Sequence, residues 1–424
     1  MAAPIRIRAE DVDFSSIDFW GQPAEVREAG FAALRREKPI SFHKEFEPPP
    51  EIPLPRGPGY WALTKHRDVL EASRDADVFC SGKGSQIPDL PESFNEFFGS
   101  MINMDDPKHG RLRRIVSRGF TPRALGKLEA DVQRRAKQTI DRVIEKGACD
   151  FVTEIAAPLP LEIICDLMGI PDSQTKFVFE KTNVILGLGD PEYVPPGTNL
   201  LMAALTAGQA LATLMNELAD ERRKNPKDDL TSALLNAELE GGLLTQQELA
   251  SFFVLLVAAG NETTRNAISH GMKALTDFPD ERRKWFGDFD GKAPTAIEEI
   301  VRWATPVIHF RRTATGDTEL SGQKIRAGEK VVLWYNSANR DEDVFRDPYR
   351  FDVTRTPNEH VGFGGPGPHH CLGANLARRE MRVMFREIAE RIPDLQITGP
   401  PEYLRSNFIH GIKRMPCEWK AGGR

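Results

Sequence analysis

The sequence predicts a mostly α-helical fold with small β-sheets, built as one domain over residues 1–424. Three observations predict it. After about residue 105, apolar side chains recur at i, i+3 and i+4 through most of the chain, the spacing of helices with one buried face. Strand-like runs are few and short. No internal repeat or low-complexity linker divides the chain, although its length alone would allow more than one domain.

The elements follow in order. Residues 1–60 read as a covering segment over a body running from about 61 to 424. The Pro-rich stretch 48–58 reads as a covering loop that leads into a short strand at 60–64. Helical spacing appears over 112–120, 123–146, 161–168, 200–224, 245–275, 295–303 and 374–392. Strand signals fall at 318–320, 328–335 and 408–413.

Composition narrows the function. With 62 acidic and 56 basic residues the net charge is −6, which argues against nucleic acid, whose binders concentrate positive charge. The start, Met1 to Glu10, has no apolar signal region. The longest uncharged apolar stretch, 249–261, falls short of the roughly 20 residues that span a bilayer. Cys80, Cys149, Cys165, Cys371 and Cys417 are scattered without a CxxC pair, as expected for reduced thiols in a cytoplasm. The expectation is a cytoplasmic protein with no membrane anchor.

Two segments depart from ordinary helical usage. The helix opened by the capping box Thr245–Glu248 can run about 30 residues, roughly 45 Å. It is apolar nearly all round in the middle, yet carries Ala259-Gly260-Asn261-Glu262-Thr263-Thr264 there. Gly alone costs about 1 kcal/mol relative to Ala in a helix, and local inconsistencies of this kind mark either a packed kink or a functional site. The second segment is Gly362-Phe-Gly-Gly-Pro-Gly-Pro-His-His-Cys-Leu-Gly373. Its glycines and prolines make a tight loop that ends with Cys371 at the start of the next helix, where a thiolate is stabilised. Adjacent His369, His370 and Cys371 cannot share one tetrahedral zinc, and no second ligand pair has the right spacing. A thiolate metal ligand or a nucleophile remains, and a nucleophilic cysteine leaves the long helix unexplained.

Together these segments resemble the cytochrome P-450 monooxygenases, from about residue 60 to the C-terminus. The resemblance implies haem b held between a long distal helix and a proximal Cys-loop helix, with Cys371 as the axial thiolate ligand. It makes Glu262 and Thr263 the catalytic acid–alcohol pair, carrying protons and holding a hydrogen bond to the activated oxygen, with Gly260 leaving room above the iron. His109, Arg113, Arg312 and His369 become the partners of the haem propionates, and four such groups suit two buried carboxylates. Glu299-Ile-Val-Arg302 matches the family's buried structural ExxR pair, a pattern that also occurs at Glu71/Arg74, Glu262/Arg265 and Glu402/Arg405. One departure stands out: the family loop places Phe seven residues before the Cys, whereas Phe363 is eight before Cys371.

The longer loop and the segments at 98–101, 183–191 and 408–413 are similar to the mycobacterial branch that oxidises lipids and sterols. That likeness implies terminal (omega) hydroxylation of a methyl-branched fatty acid, isoprenoid or terpenoid, or sterol side chain. Phe94, Phe97, Phe98, Met101, Ile185, Val254, Ala258, Val307, Ile308 and Ile409 then fall where substrate contacts are expected, all apolar and without a charged anchor. No flavin or iron–sulfur segment is visible, so the resemblance implies electrons from NAD(P)H through a separate reductase and ferredoxin. A ferredoxin would meet Lys108, Arg111, Arg114, Arg118, Arg378, Arg379 and Arg382 on a monomeric enzyme. The alternatives are a peroxide-dependent hydroxylase and a non-catalytic haem sensor.

Overall fold

The computed structural model describes residues 7–47, 56–121, 126, 128–237 and 242–421. The principal helices are α1 (Ala24–Glu37), α2 (His66–Arg74), α3 (Glu92–Gly99), α4 (Lys108–Ser117), α5 (Glu129–Val143), α6 (Pro158–Met168), α7 (Thr175–Leu186), α8 (Leu200–Lys224), α9 (Gln246–Asp277), α10 (Phe289–Ala304) and α11 (Ala374–Arg391). The strands are β1 (Ile40–His43), β2 (Tyr60–Leu63), β3 (Phe79–Cys80), β4 (Ala148–Asp150), β5 (His309–Ala314), β6 (Thr318–Leu320), β7 (Gln323–Ile325), β8 (Lys330–Trp334), β9 (Gln396–Ile397), β10 (Glu402–Tyr403), β11 (Ile412–Arg414) and β12 (Pro416–Glu418). Five strands form one sheet in the order β1-β2-β8-β5-β3, and a three-stranded sheet runs β4-β12-β9.

Helix α9 organises the body. Thr245 accepts from the Glu248 N–H while Glu248 accepts from the Thr245 N–H, closing the capping box, and 32 residues follow, about 48 Å of helix. It packs against α3, α6, α7, α8, α10 and α11, so its middle is apolar on nearly every side because neighbours surround it. A separate aromatic core fastens the N-terminal residues to the sheet. Phe14, Trp20 and Phe31 gather on Trp334 of β8, with the Trp20 and Trp334 rings stacked 5.3 Å apart.

Most predicted elements stand where the periodicity puts them, and the differences have local causes. The 112–120 segment starts earlier, at Lys108, and ends in a 3₁₀ turn. The 161–168 helix begins at Pro158, since prolines are tolerated in a first turn. The 295–303 helix begins at Phe289 and carries Pro294 inside it, with Asp288 accepting from the Gly291 N–H at its start. The 123–146 helix is described from Glu129 to Val143, and its predicted first residues at 123–125 lie outside the described residues, as does most of the Pro-rich loop at 48–55. The 408–413 strand is shorter. Ser406 Oγ accepts from the N–H groups of Phe408 and Ile409, holding them in a turn, and only Ile412–Arg414 pairs as β11.

Candidate active site

The glycine-rich loop folds tightly between α2 and α11. Cys371 N–H donates to the Phe363 carbonyl at 2.9 Å, closing the loop just before α11. Gly367 has φ of 140°, and a Cβ there would meet the Ser73 carbonyl oxygen at 2.2 Å, so only glycine lets the loop lie against α2. Gly373, in contrast, faces open space, with nothing within 4 Å of an added Cβ. The Cys371 side chain is accessible, yet burial pushes its thiol up, opposed by the Gly373 N–H and by Arg113. A sulfur that is both reachable and surrounded by protein opens onto interior space.

Beside it lies a cluster of basic groups. His109 on α4 and His369 on the loop lie in ring contact, centroids 4.3 Å apart and planes tilted by 38°. His109 is 3% exposed and its Nε2 has no hydrogen-bond partner; an exposed Asp106 carboxylate is 3.6 Å from its other ring nitrogen. Arg312 on β5 is buried and gives Nη1 to the Arg311 carbonyl at 2.9 Å. Arg113 gives a nitrogen to the His370 carbonyl. Burial, with Arg312, His109 and Arg113 nearby, pushes His369 down to about 2. Among the described residues no carboxylate pairs with Arg113 or Arg312. Buried cations normally have counter-charges, so this cluster fits a ligand that brings its own carboxylates.

On α9, accessibility singles out one stripe. Leu255, Gly260 and Thr263 are partly exposed and Ala259 is exposed, while the residues on the other sides are buried. Thr263 Oγ1 donates to the Ala259 carbonyl at 2.7 Å, so its lone pairs are left to accept from the open side. Glu262 is buried, paired with Arg265 and accepting from Asn266 Nδ2 at 3.2 Å, while its Oε2 has no partner. Arg265 reaches on to Asn183 of α7 at 3.3 Å.

Gly260 requires a correction. A Cβ there would meet Ile164 of α6 at 2.9 Å, so the glycine lets two helices approach and does not itself hold space open. Ala259 faces the opening instead. The family-pattern match Glu262/Arg265 is also an ion pair in the folded chain, as is Glu299/Arg302.

The apolar candidates separate into two groups. Phe94, Phe97 and Phe98 of α3, Ile185 of α7 and Val307 are half-buried. Phe97 and Phe98 pack edge to face at 4.9 Å, and Ser251 of α9 donates to the Glu96 carbonyl at 2.6 Å, tying α3 down. Met101 and Ile409 are buried, Ile409 bridging to Val307. Val254, Ala258 and Ile308 are buried as well, Val254 in the main core with Met101 and Ile308 with the N-terminal aromatic core. Leu255 and Ala259 take the open positions on α9, a phase that its uniformly apolar sequence does not reveal.

Arg311, the neighbour of Arg312, is a residue the sequence reading missed. Its guanidinium gives hydrogen bonds to the carbonyls of Lys83, Gln86 and Ile87 and to Asp89 Oδ1, the last at 2.7 Å. Lys330 joins it, reaching Asp89 at 2.8 Å, Glu45 at 2.7 Å and the Ile87 carbonyl at 3.0 Å. These groups hold the segment that leads into α3. Only a partner 220 residues or more away in sequence would have pointed to Arg311.

The cations expected at a docking face are mostly paired within the chain. Arg111 pairs with Glu248, Arg378 with Glu298, Arg379 with Glu129, and Arg382 with Asp290. Lys108 lies 4.0 Å from Glu96. Arg114 is exposed, and the side chain of Arg118 lies outside the description.

A buried long helix packed on the helix that the Cys loop opens, with arginines lacking counter-charges near the cysteine, fits a haem held by a thiolate and by partners for its carboxylates. A cytochrome P450 family profile matches residues 293–391. Over 98% of its length the chain is 51% identical to a methyl-branched lipid omega-hydroxylase of Mycobacterium tuberculosis, covering 96% of that protein. It is 42% identical over 97% of its length to a steroid C26-monooxygenase of Rhodococcus jostii, covering 85% of it. A Mycobacterium marinum cytochrome P450, CYP268A2 in complex with pseudoionone, superposes with a TM-score of 0.92 at 44% identity, over 98% of this chain and all of that one. The chain belongs to the cytochrome P450 family and is a monooxygenase, with haem iron as its cofactor. Bacterial members of the family typically draw electrons from redox partners, and no described helix is long and apolar enough to cross a membrane.

Proposed function

We propose that this monooxygenase inserts one oxygen atom of O2 into a terminal methyl C–H bond of a methyl-branched lipid, a fatty acid, isoprenoid or sterol side chain. The observation that carries this reading is the likeness, over nearly the whole chain, to methyl-branched lipid omega-hydroxylases. The half-buried aromatic and aliphatic side chains of α3 and α7 support it, since they offer no charged anchor.

Haem b, when bound, supplies the iron at which O2 is reduced and activated. Cys371 would hold the iron as a thiolate, and His109, Arg113, Arg312 and His369 would hold the two propionates. Thr263, its hydroxyl proton given to the Ala259 carbonyl, would accept a hydrogen bond from the open side. Glu262 passes protons inward: Arg265 and Asn266 hold its Oε1, and its Oε2 is free to take and release a proton. Glu299 and Arg302 act structurally. Phe94, Phe97, Phe98, Met101, Ile185, Val307 and Ile409 shape the substrate channel. Terminal methyl C–H bonds are stronger than internal ones, so the walls must hold the chain end in place, and positioning of that kind is worth several kcal/mol, on the order of that gained in well-oriented intramolecular reactions.

Electrons come from NAD(P)H through a reductase and a ferredoxin, and the protein acts as a cytoplasmic monomer. An acidic ferredoxin would meet Lys108, Arg111, Arg114, Arg378, Arg379 and Arg382. The test is turnover with ferredoxin, reductase and NAD(P)H, set beside hydrogen peroxide alone, with the products mapped by mass spectrometry. A branched isoprenoid or fatty acid yields mainly the terminal alcohol, ahead of its linear counterpart. Mostly internal alcohols or a preference for linear chains overturns the substrate reading, and equal turnover with peroxide overturns the electron route.

A further inference from the structure

Cys149 and Cys417 stand opposite one another in the antiparallel pair β4–β12. Their sulfurs are 3.7 Å apart, and the Cys417 thiol lies 3.4 Å from the Cys149 carbonyl oxygen. Two flanking bonds, Phe151 N–H to Met415 and Trp419 N–H to Gly147, both 2.8 Å, make this a hydrogen-bonded position of the ladder. Cα atoms at such positions are about 5.5 Å apart, inside the roughly 4.4–6.8 Å that a disulfide spans. Opposed Cβ atoms at such a position lie towards the wide end of about 4.5–5.5 Å, against about 3.5–4.5 Å across a disulfide, so closing the bond takes side-chain rotation together with a small approach of the edge strand β4 to β12.

The two thiols differ in access. Cys149 is half-buried on β4, an edge of its sheet, whereas Cys417 is 2% exposed on the central strand, covered on its other side by β9. A solvent oxidant therefore meets Cys149 first and finds a second thiol directly behind it. An accessible sulfur with a resolving partner in contact is the arrangement that favours a disulfide over further oxidation.

We propose that Cys149 and Cys417 form a reversible thiol–disulfide site closed by two-electron oxidants such as hydrogen peroxide. In the first step Cys149 sulfur is oxidised to sulfenic acid: its S–H and the peroxide O–O bond break, an S–OH bond forms, and one water leaves. In the second, Cys417 sulfur attacks Cys149 sulfur, the S–O bond breaks, and the Cys417 proton departs with the hydroxyl as a second water. Two thiols lose two electrons and peroxide is reduced to two waters. A cellular thiol reverses the closure by exchange. The bond fastens β12, near the C-terminus, to a strand 268 residues earlier. The inference rests on this pair alone and is independent of the lipid substrate.

The test treats the haem-loaded protein with a small molar excess of hydrogen peroxide, and in parallel with diamide, which oxidises thiols without needing haem. Peptides are then mapped without reduction. The expected result with both oxidants is one linked peptide pair, Cys149 to Cys417, two free thiols lost from the five in the chain, and full reversal by dithiothreitol. The melting temperature rises on oxidation and returns on reduction. In Cys417→Ser, Cys149 is trapped as a sulfenic acid by dimedone, and in the double variant Cys149→Ser/Cys417→Ser the melting shift vanishes. Oxidation of Cys149 to sulfinic acid with no linked peptide in the unmodified protein overturns the proposal, as does survival of both thiols while Cys371 is lost.

Discussion

Two charge clusters of the molecule are built on opposite plans. Around Glu299 and Arg302, both 0% exposed, every charge is answered by protein. Arg302 holds Glu299 through two bonds of 2.7 and 2.8 Å and gives its remaining donors to the carbonyls of Asn339 and Pro348. Glu299 also accepts from Asp352 N–H, Arg355 and Asn358. The cluster of His109, Arg113, Arg312 and His369 collects basic groups with no acid between the two arginines, and leaves His109 Nε2 unsatisfied. A structural site closes its own ledger of donors and acceptors, whereas a binding site leaves one side for the ligand to complete.

The largest effect is expected where the closed cluster is opened. Arg302→Met takes from the buried Glu299 its two-bond partner, leaves Arg355 as its one remaining cation, and costs about 3 kcal/mol, a large part of a domain's stability. The variant should fail to accumulate as folded haem protein, and a melting temperature equal to that of the unmodified chain would show that the pair is dispensable. Arg312→Leu should act differently. It removes a cation whose counter-charge belongs to the ligand, so the apoprotein keeps its helical circular dichroism while haem is held more weakly. A hydrogen bond to a charged group is worth about 1.5–3 kcal/mol, roughly a 10- to 100-fold loss read by haem transfer to apomyoglobin. Unchanged transfer would remove Arg312 from the propionate site.

Buried histidines extend the contrast to pH. Burial holds His270 and His309 down to about 4, with only a backbone carbonyl partner for each. The unfolded chain takes up these protons near 6.5 and the folded chain does not, so stability is intact above that pH and falls as pH drops from 6.5 towards 4. Each group contributes a slope of ~1.4 kcal/mol per pH unit in that window. Urea midpoints measured across it should show the slope, and His309→Phe should flatten it by one proton's worth. The smallest effect is expected at Asp89, half-exposed under Arg311. Asp89→Asn weakens the hold on the segment before α3 by about 1 kcal/mol or less and should shift the ratio of terminal to internal alcohol by no more than about fivefold, with haem binding unaltered. An unchanged ratio would confine Arg311 and Asp89 to folding.

What sequence could and could not reveal follows from the range of the interactions. The capping box at Thr245 and the helix 200–224 rest on neighbours three or four residues away, and both stand as read. The Cys loop was legible because glycine and proline announce their backbone needs locally. The rotation of α9 was not, since its apolar middle has no preferred face and Ile164, from another helix, decides which side is closed. The ion pairs of Arg378 and Arg379 were invisible for the same reason: Glu298 and Glu129 are brought to them only by the packing of α10 and α5 against α11. β1 was missed as well, four residues whose pairing with β2 supplies the order that their own sequence does not.

The stack of Trp20 on Trp334 gives this molecule an internal optical gauge. Two of its six tryptophans lie ring on ring, so their coupled near-ultraviolet signal reports whether the residues around Phe14 and Trp20 are seated on the sheet. The strongest band of a bound haem lies at longer wavelength, at the edge of the visible. Lifting of the N-terminal cover and loss of the cofactor can therefore be timed separately in one unfolding trace, at two wavelengths.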